Sequence, residues 1–156
     1  MRLLLPTAVA FAVVLPTAAL STNSFQRGAA TIKAAETGVT RVVLTVELAR
    51  TPAERAQGLM NRRSLPANAG MVFVYPQAHR GGYWMKNTLI SLDIAFYGAR
   101  GTILRIFTMQ PCRREPCRIY DPNVAYRGAL EVNAGSFRRW RVRAGDRIAV
   151  RATRAG

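Results

Sequence analysis

Apolar and polar residues alternate in several short segments of this chain, and this alternation limits its fold more than any other feature. In residues 41–48 one face of an extended backbone carries four apolar side chains, Val42, Leu44, Val46 and Leu48. The same period of two recurs in residues 92–97. Gly, Pro and Asn separate such segments, and signals for helices are few. The pattern predicts one mainly β domain, a β-sandwich or a partly closed barrel with one or two short helices.

The clearest helix signal follows the first of these strands. Thr51 can cap a helix, Pro52 suits its first turn, and Glu54 can reach back to the cap. This predicts a helix from Ala53 to about Met60. Ser136 is placed to cap a second, shorter helical turn.

The N-terminus has the features of a secretory signal. Arg2 precedes an apolar run that ends at Leu15, and small residues follow as far as Ala19. We predict a signal peptide over 1–19, a flexible leader over 20–38 and the mainly β domain over 39–154. A retained membrane anchor is the alternative, although the run is short, contains Pro6 and is followed directly by Pro16. With cleavage, no integral membrane segment remains and the mature chain is periplasmic or secreted.

The chain is strongly basic, with a formal net charge of +15. Residues 1–19 contain only one charged side chain, Arg2, so the mature chain retains +14. Such a charge attracts anions. Export makes an anionic small molecule or an envelope polymer a better partner than nucleic acid, which we do not expect to bind. Nearly all the cations are Arg, so a bias in base composition is the alternative explanation of the charge.

Cys112 and Cys117 are the two cysteines, separated by four residues. In an oxidising compartment this pair predicts a disulfide that closes a small loop. The spacing is unlike that of redox-active pairs, which favour two intervening residues. His79 is the sole histidine, so no set of four Cys and His ligands exists and we expect no metal or cofactor.

Several motifs together resemble one protein family, the bacterial and archaeal domain of unknown function (DUF) 192. The resemblance extends from about Val42 to Val150, and Leu89 departs from it, since many members have Pro there. Members are small, mostly β and often exported, and the family has no established activity. The motifs are Glu54-Arg55-x-x-Gly58-Leu59-Met60-x-Arg62, Gly70-Met71-x-Phe73, Trp84-Met85-Lys86-Asn87-Thr88 with Asp93-Ile94-x-Phe96, and Ala129-Leu130-Glu131-Val132-x-Ala134-Gly135 with Gly145-Asp146.

Residues 81–96 concentrate the polar groups that could bind a ligand, beside an indole that could form an apolar wall. The alternative is a set of ion pairs that satisfies buried strand and loop ends, formed among Glu54, Arg62, Lys86, Asp93 and Glu131. The candidate ligand-binding residues are Trp84, Lys86, Asn87, Thr88, Asp93, Arg62 and Glu131.

Three functions are compatible with these features. We rank first a non-catalytic envelope module that binds an anionic or polyhydroxylated small ligand or an envelope polymer. An enzyme acting on an envelope carbohydrate or its conjugates comes second, with Asp93 and Glu131 as a conceivable acid and base pair. A purely structural accessory protein comes third. No catalytic residue can be assigned, and a Ser/His/Asp set is not expected because no nucleophile elbow is present.

Overall fold

The computed structural model describes residues 25–153, which form seven strands and two short helices. The mainly β prediction is therefore confirmed. In chain order the elements are β1 (Gln26–Lys33), β2 (Thr40–Ala49), α1 (Pro52–Gln57), β3 (Ala69–His79), β4 (Leu92–Tyr97), β5 (Ile103–Met109), β6 (Tyr126–Asn133), α2 (Ser136–Arg139) and β7 (Arg147–Ala152).

All seven strands belong to one sheet, in the order β5-β4-β6-β3-β2-β1-β7. Strand β2 pairs with β3 in parallel, and every other neighbouring pair is antiparallel. A parallel pair needs a crossover, and α1 lies in the connection from β2 to β3.

The two edge strands approach each other at one end but do not close the barrel. The amide of Ile148 donates to the carbonyl of Gly101 at 2.8 Å, and the amide of Ile103 donates to the carbonyl of Asp146 at 2.8 Å. Gly101 has a φ of 77°, and a Cβ there would lie 2.1 Å from the carbonyl oxygen of Ile148. Only glycine permits so close an approach, so this turn holds the sheet in a partly closed form.

Side chains alternate between two cores on opposite faces of the sheet. The inner face is lined by residues from all seven strands together with Phe137 and Val142, so the sheet curls around this core. The opposite side, which we call the loop-covered face, packs against Leu59, Met85 and Tyr120 from the connections between strands. Alternation along β6 sends Leu130 and Val132 inward and leaves Ala129 and Glu131 on the loop-covered face.

The prediction that residues 20–38 form a flexible leader is wrong for the part that the structure describes. Residues 26–33 form β1, which pairs with β2 on one side and β7 on the other. Ala30 and Ile32 are completely buried. The segment contains small residues that show little apolar periodicity, and a Cβ at Gly28 would lie 2.6 Å from the carbonyl oxygen of Arg151. Close backbone approach thus requires glycine at position 28, and the buried side of β1 alternates through Gly28, Ala30 and Ile32. The predicted signal peptide lies outside the described residues.

The helices begin near the predicted sites, with two corrections. Thr51 caps α1 in a complete capping box, as predicted, but the helix ends at Gln57 rather than at about Met60, because Gly58 follows as the C-cap with a φ of 46°. Ser136 does not cap α2, because it is the first residue of that helix and Gly135 precedes it as the cap.

The predicted pairing of Cys112 with Cys117 is confirmed, with the two sulfurs at 2.12 Å. Within residues 25–153, no helix has the length and hydropathy needed to span a bilayer.

Candidate functional site

Residues 83–88 cross the loop-covered face in a conformation fixed by backbone hydrogen bonds. Tyr83 and Tyr120 exchange two such bonds, of 3.1 and 2.8 Å. Asn87 adopts a left-handed conformation, with φ 56°, and its carbonyl accepts a 2.8 Å bond from the amide of Asn61. Asn readily adopts this conformation at turns. The main chain of Asn87 therefore joins the loop to the segment that follows α1.

This arrangement encloses a narrow cavity of about 50 Å³ between the segment after α1, strand β3, residues 83–88 and β6. Its walls combine apolar and aromatic side chains with polar ones, among which Glu131 supplies the one carboxyl group, and more of the exposed wall is polar than apolar. The lining residues are Arg55, Ala56, Gln57, Gly58, Leu59, Met60, Phe73, Tyr83, Trp84, Thr88 and Glu131. We call this the Glu131 pocket.

Glu131 is the chemically distinctive group of the pocket. Its side chain lies on the loop-covered face, and its ladder neighbours are Met71 in β3 and Ile94 in β4. The residue is 5% exposed. Burial raises the pKa of Glu131 from its usual 4.5 to about 8, because the charged form loses its hydration. At neutral pH the carboxyl group is therefore mainly protonated and can both donate and accept a hydrogen bond.

Aromatic rings support the pocket from behind. The Tyr75 and Tyr83 hydroxyls lie 2.9 Å apart, and Tyr83 contacts Phe73 edge to face at 5.0 Å between ring centroids. Burial, followed by the effect of Tyr75, raises the pKa of Tyr83 well above its usual value, so this hydroxyl keeps its proton. Tyr83, Leu59 and Met60 were not among the predicted site residues. For Leu59 and Met60 a signal was available, since both belong to a family motif, whereas Tyr83 lies just outside the motif that begins at Trp84.

Trp84 and Thr88 also line the Glu131 pocket, but in different ways. Trp84 is 49% exposed and stands at the edge of the cavity, whereas Thr88 is buried. Lys86 lies beside them, with its ammonium 5.5 Å from the centre of the Trp84 ring. That ammonium also pairs with Glu115 at 2.8 Å. Both partners of this ion pair are substantially exposed, so it is a surface contact.

Asp93 and Arg62 lie elsewhere, although they were candidates for the same site. Asp93 projects from β4 to the inner face, where Oδ1 accepts from the Thr108 hydroxyl at 2.7 Å and Oδ2 accepts from the Phe137 amide at 3.2 Å. Arg62 forms an ion pair with Glu47 at a separate cavity of about 380 Å³. The structure therefore brings together Trp84, Thr88 and Glu131, with Lys86 and Asn87 adjacent.

The family motifs converge on the same pocket. Its lining includes residues from all four motif groups: Gly58, Leu59 and Met60, then Phe73, then Trp84 and Thr88, and finally Glu131. A family model matches residues 32–150, under the description uncharacterized ACR. The chain belongs to the DUF192 family.

Two solved structures resemble this DUF192 chain closely. A candidate transcription regulator from Sinorhizobium meliloti 1021 is 36% identical, with a TM-score of 0.75 over 81% of this chain and 95% of that one. A protein of unknown function from Novosphingobium aromaticivorans DSM 12444 is 30% identical, with a TM-score of 0.73 over 83% of this chain and 89% of that one. No curated protein matches the chain.

Proposed function

We propose that this DUF192 protein is an exported binding module of the cell envelope that holds a hydroxyl-bearing ligand, such as a sugar or a glycan end, at the Glu131 pocket. The observation that carries the proposal is the buried Glu131 carboxyl group in a cavity whose edge is the half-exposed ring of Trp84. Concave sites with apolar walls and a few polar groups are typical of small-ligand binding.

The protonation and the size of the pocket favour a hydroxyl group over an anion. A protonated carboxyl group can donate a hydrogen bond to the oxygen of a hydroxyl and accept one from the O–H, whereas an ionised Glu131 would repel an anion. A volume of about 50 Å³ admits a single hydroxyl or hydroxymethyl group. The rest of the ligand would lie against the exposed ring of Trp84, which offers a flat apolar surface.

Export is the second part of the proposal, and it is supported by the sequence of residues 1–19 and by the bonded pair Cys112 and Cys117. Mass spectrometry of the protein from the native cell envelope tests it. We expect a mature chain that begins near Leu20, and an intact N-terminus in the cytoplasmic fraction would contradict export.

An enzyme is the second candidate, and the raised pKa of Glu131 specifically favours it. A carboxyl group with a pKa of about 8 is suited to general acid or base catalysis near neutral pH. Glycosidases usually need two carboxyl groups, and Asp93 cannot be the second, because it lies on the other face of the sheet. Any such enzyme would use Glu131 without Asp93.

Nucleic-acid binding, suggested by the description of the Sinorhizobium relative, has weaker support. Its one favourable feature is the positive charge, and the helices within residues 25–153 have six and four residues, too short to fill a major groove as recognition helices do. A titration with double-stranded DNA at physiological salt should show no sequence-specific binding.

The binding proposal is tested by thermal-shift and fluorescence titrations with neutral sugars and envelope oligosaccharides. A ligand at a hundred times its Kd stabilises the folded protein by about 2.7 kcal/mol, so even weak ligands are detectable. We expect Glu131→Leu to abolish the shift and Trp84→Ala to weaken binding about tenfold, the loss of an aromatic contact. Leu89→Ala is the control, because Leu89 is 54% exposed and does not line the pocket.

Two results would contradict the proposal: no shift with any hydroxylated compound, or equal shifts in the wild type and both pocket variants. The variant Glu131→Gln distinguishes the two proposed functions, a binding module and an enzyme. Gln can still hydrogen-bond a hydroxyl but cannot transfer a proton. Retained binding with loss of product formation in this variant would establish catalysis, whereas binding without turnover in the wild type supports the module.

A further inference from the structure

The disulfide loop, residues 111–118, borders a second cavity that the Glu131 pocket does not include. The cavity has a volume of about 390 Å³, within the range of small-molecule sites. Met85 contributes to this cavity, while its neighbour Trp84 lines the Glu131 pocket. The lining residues are Met85, Gln110, Pro111, Cys112, Arg113, Arg114, Pro116, Arg118 and Tyr120. We call this the arginine cavity.

Three of these residues are arginines and none is acidic. Within residues 25–153, Arg113, Arg114 and Arg118 form no ion pair. The one acidic residue of the loop, Glu115, pairs with Lys86 and does not line the cavity. The positive charge of the three guanidinium groups is therefore not neutralised at the cavity.

The cavity is also held in shape before any ligand arrives. The bond between Cys112 and Cys117 closes the loop, and the Cys112 amide donates to the Met85 carbonyl at 3.3 Å. Tyr120 is buried, and its hydroxyl accepts from the Gln110 amide at 3.1 Å. The guanidinium of Arg118 lies 4.8 Å from the centre of the Tyr120 ring. Such stacking limits the arginine's freedom, which lowers the entropy lost on binding.

We propose that the arginine cavity binds a phosphate group carried by a ligand. Guanidinium groups match phosphate oxygens in paired hydrogen bonds, and three of them supply more charge than a single carboxylate needs. The volume leaves room for the group that bears the phosphate. That group could belong to a soluble phosphorylated compound or to a lipid headgroup, because both present the same phosphate oxygens. This inference does not depend on the Glu131 pocket.

The test is calorimetric titration with glucose 6-phosphate, with glucose as the neutral match, carried out in the Glu131→Leu background so that the proposed sugar site does not contribute. We expect saturable binding of glucose 6-phosphate that is weakened at least about tenfold by the triple variant Arg113→Gln, Arg114→Gln, Arg118→Gln, since each lost charged hydrogen bond is worth that much. The matched control replaces the exposed Arg100, Arg105 and Arg151 with Gln. It removes the same net charge from elsewhere on the surface.

Sedimentation with phosphatidylglycerol vesicles, against phosphatidylcholine vesicles, distinguishes the two sources. If the protein binds the anionic vesicles and only the triple variant of Arg113, Arg114 and Arg118 loses this binding, the site belongs to a lipid headgroup. If the protein binds glucose 6-phosphate but not the vesicles, the site belongs to a soluble ligand. Absence of both would overturn the proposal, as would an equal loss in the two triple variants. Because Glu131→Leu lacks the proposed sugar site, binding of glucose 6-phosphate but not of glucose in this background reports the arginine cavity alone, and failure at one site is distinguishable from failure at the other.

Discussion

The inner face and the loop-covered face of the sheet each bury one carboxylic acid, on neighbouring strands. Asp93 in β4 is 2% exposed and Glu131 in β6 is 5% exposed. The residue opposite Glu131 is Ile94, the neighbour of Asp93 in sequence, so the two carboxyl groups lie on opposite sides of the same ladder. On the inner face both Asp93 oxygens accept hydrogen bonds, from Thr108 and from α2. Both acids line cavities, Asp93 one of about 660 Å³ on the inner face and Glu131 one of about 50 Å³ on the loop-covered face.

The comparison shows that burial alone does not identify a functional acid. Asp93 compensates for lost hydration with two fixed donors, one of which is the start of a helix, so its role is to join α2 to the sheet. Glu131 responds to burial through a large rise in its pKa, which is the typical mark of a group arranged for binding or proton transfer.

The largest expected effect is the pH dependence of stability that Glu131 confers. Its pKa is about 8 in the folded protein and near 4.5 when unfolded, so the folded state holds this proton more tightly. The favourable contribution is complete below pH 4.5 and is lost as the pH rises to about 8. The whole difference corresponds to roughly 5 kcal/mol, at about 1.4 kcal/mol per pH unit.

Urea unfolding between pH 5 and 9 measures this effect in the wild type and in Glu131→Gln. The variant lacks the titrating group, so the stability of the wild type relative to the variant should fall steadily between pH 5 and 8. Other titrating groups, such as Asp146, cancel in this difference. If the free energies of unfolding of the two proteins changed in parallel with pH, Glu131 would be ionised and solvated. Glu131 would then no longer differ from Asp93 in its response to burial.

The next largest effect is expected on the inner face. Asp93→Ala removes both hydrogen bonds and leaves the buried Phe137 amide without its acceptor, which should cost about 3 kcal/mol. Thr108→Val removes only one of the two bonds and should cost about 1 kcal/mol. Urea unfolding at pH 7 measures both. If Asp93→Ala kept its stability but lost sugar binding, Asp93 would belong to the binding site and the two faces would share one function.

The mainly β fold class could be predicted because apolar and polar side chains alternate within individual strands. Residues 42–48 and 92–97 carry large apolar side chains at every second position, so their buried faces were evident. Strand β1 was missed because two of its three buried positions are Gly28 and Ala30, so the alternation that ends at Ile32 gives only a weak hydrophobic signal. The alternation within one strand can be recognised in its own sequence. Which strands lie beside it depends on contacts between residues distant in sequence, so the strand order could not be predicted.

The same limit explains the mixed result for the candidate site. Glu131 and Asp93 were both selected for their chemistry, but only the register of β4 against β6 places them on opposite faces. A shift of one residue would have put them together. Arg62 was selected for its charge, and its pairing with Glu47 depends on the path of the chain after α1. Tyr83 was missed because nothing in the sequence shows that its ring supports the pocket.

The smallest expected effect concerns the N-terminal cap of α1. The Glu54 amide donates to the Thr51 hydroxyl at 3.1 Å, and the amides of Thr51 and Arg50 donate to the Glu54 carboxylate. These backbone donors lower the pKa of Glu54. Thr51 is exposed, so water can replace its hydroxyl in Thr51→Ala, and the cost should be about 1 kcal/mol.

Thr51→Ser is the matched control, because Ser retains the acceptor and should restore nearly all of the lost stability. The stability lost in Thr51→Ala, divided by that lost in Asp93→Ala, compares an exposed helix cap with a buried one. If Thr51→Ala cost as much as Asp93→Ala, exposure to water would not distinguish the two caps, and the buried position of Asp93 could not be the reason for its larger effect. A loss near one third of the Asp93→Ala value, recovered in Thr51→Ser, would show that burial sets the energetic weight of each cap.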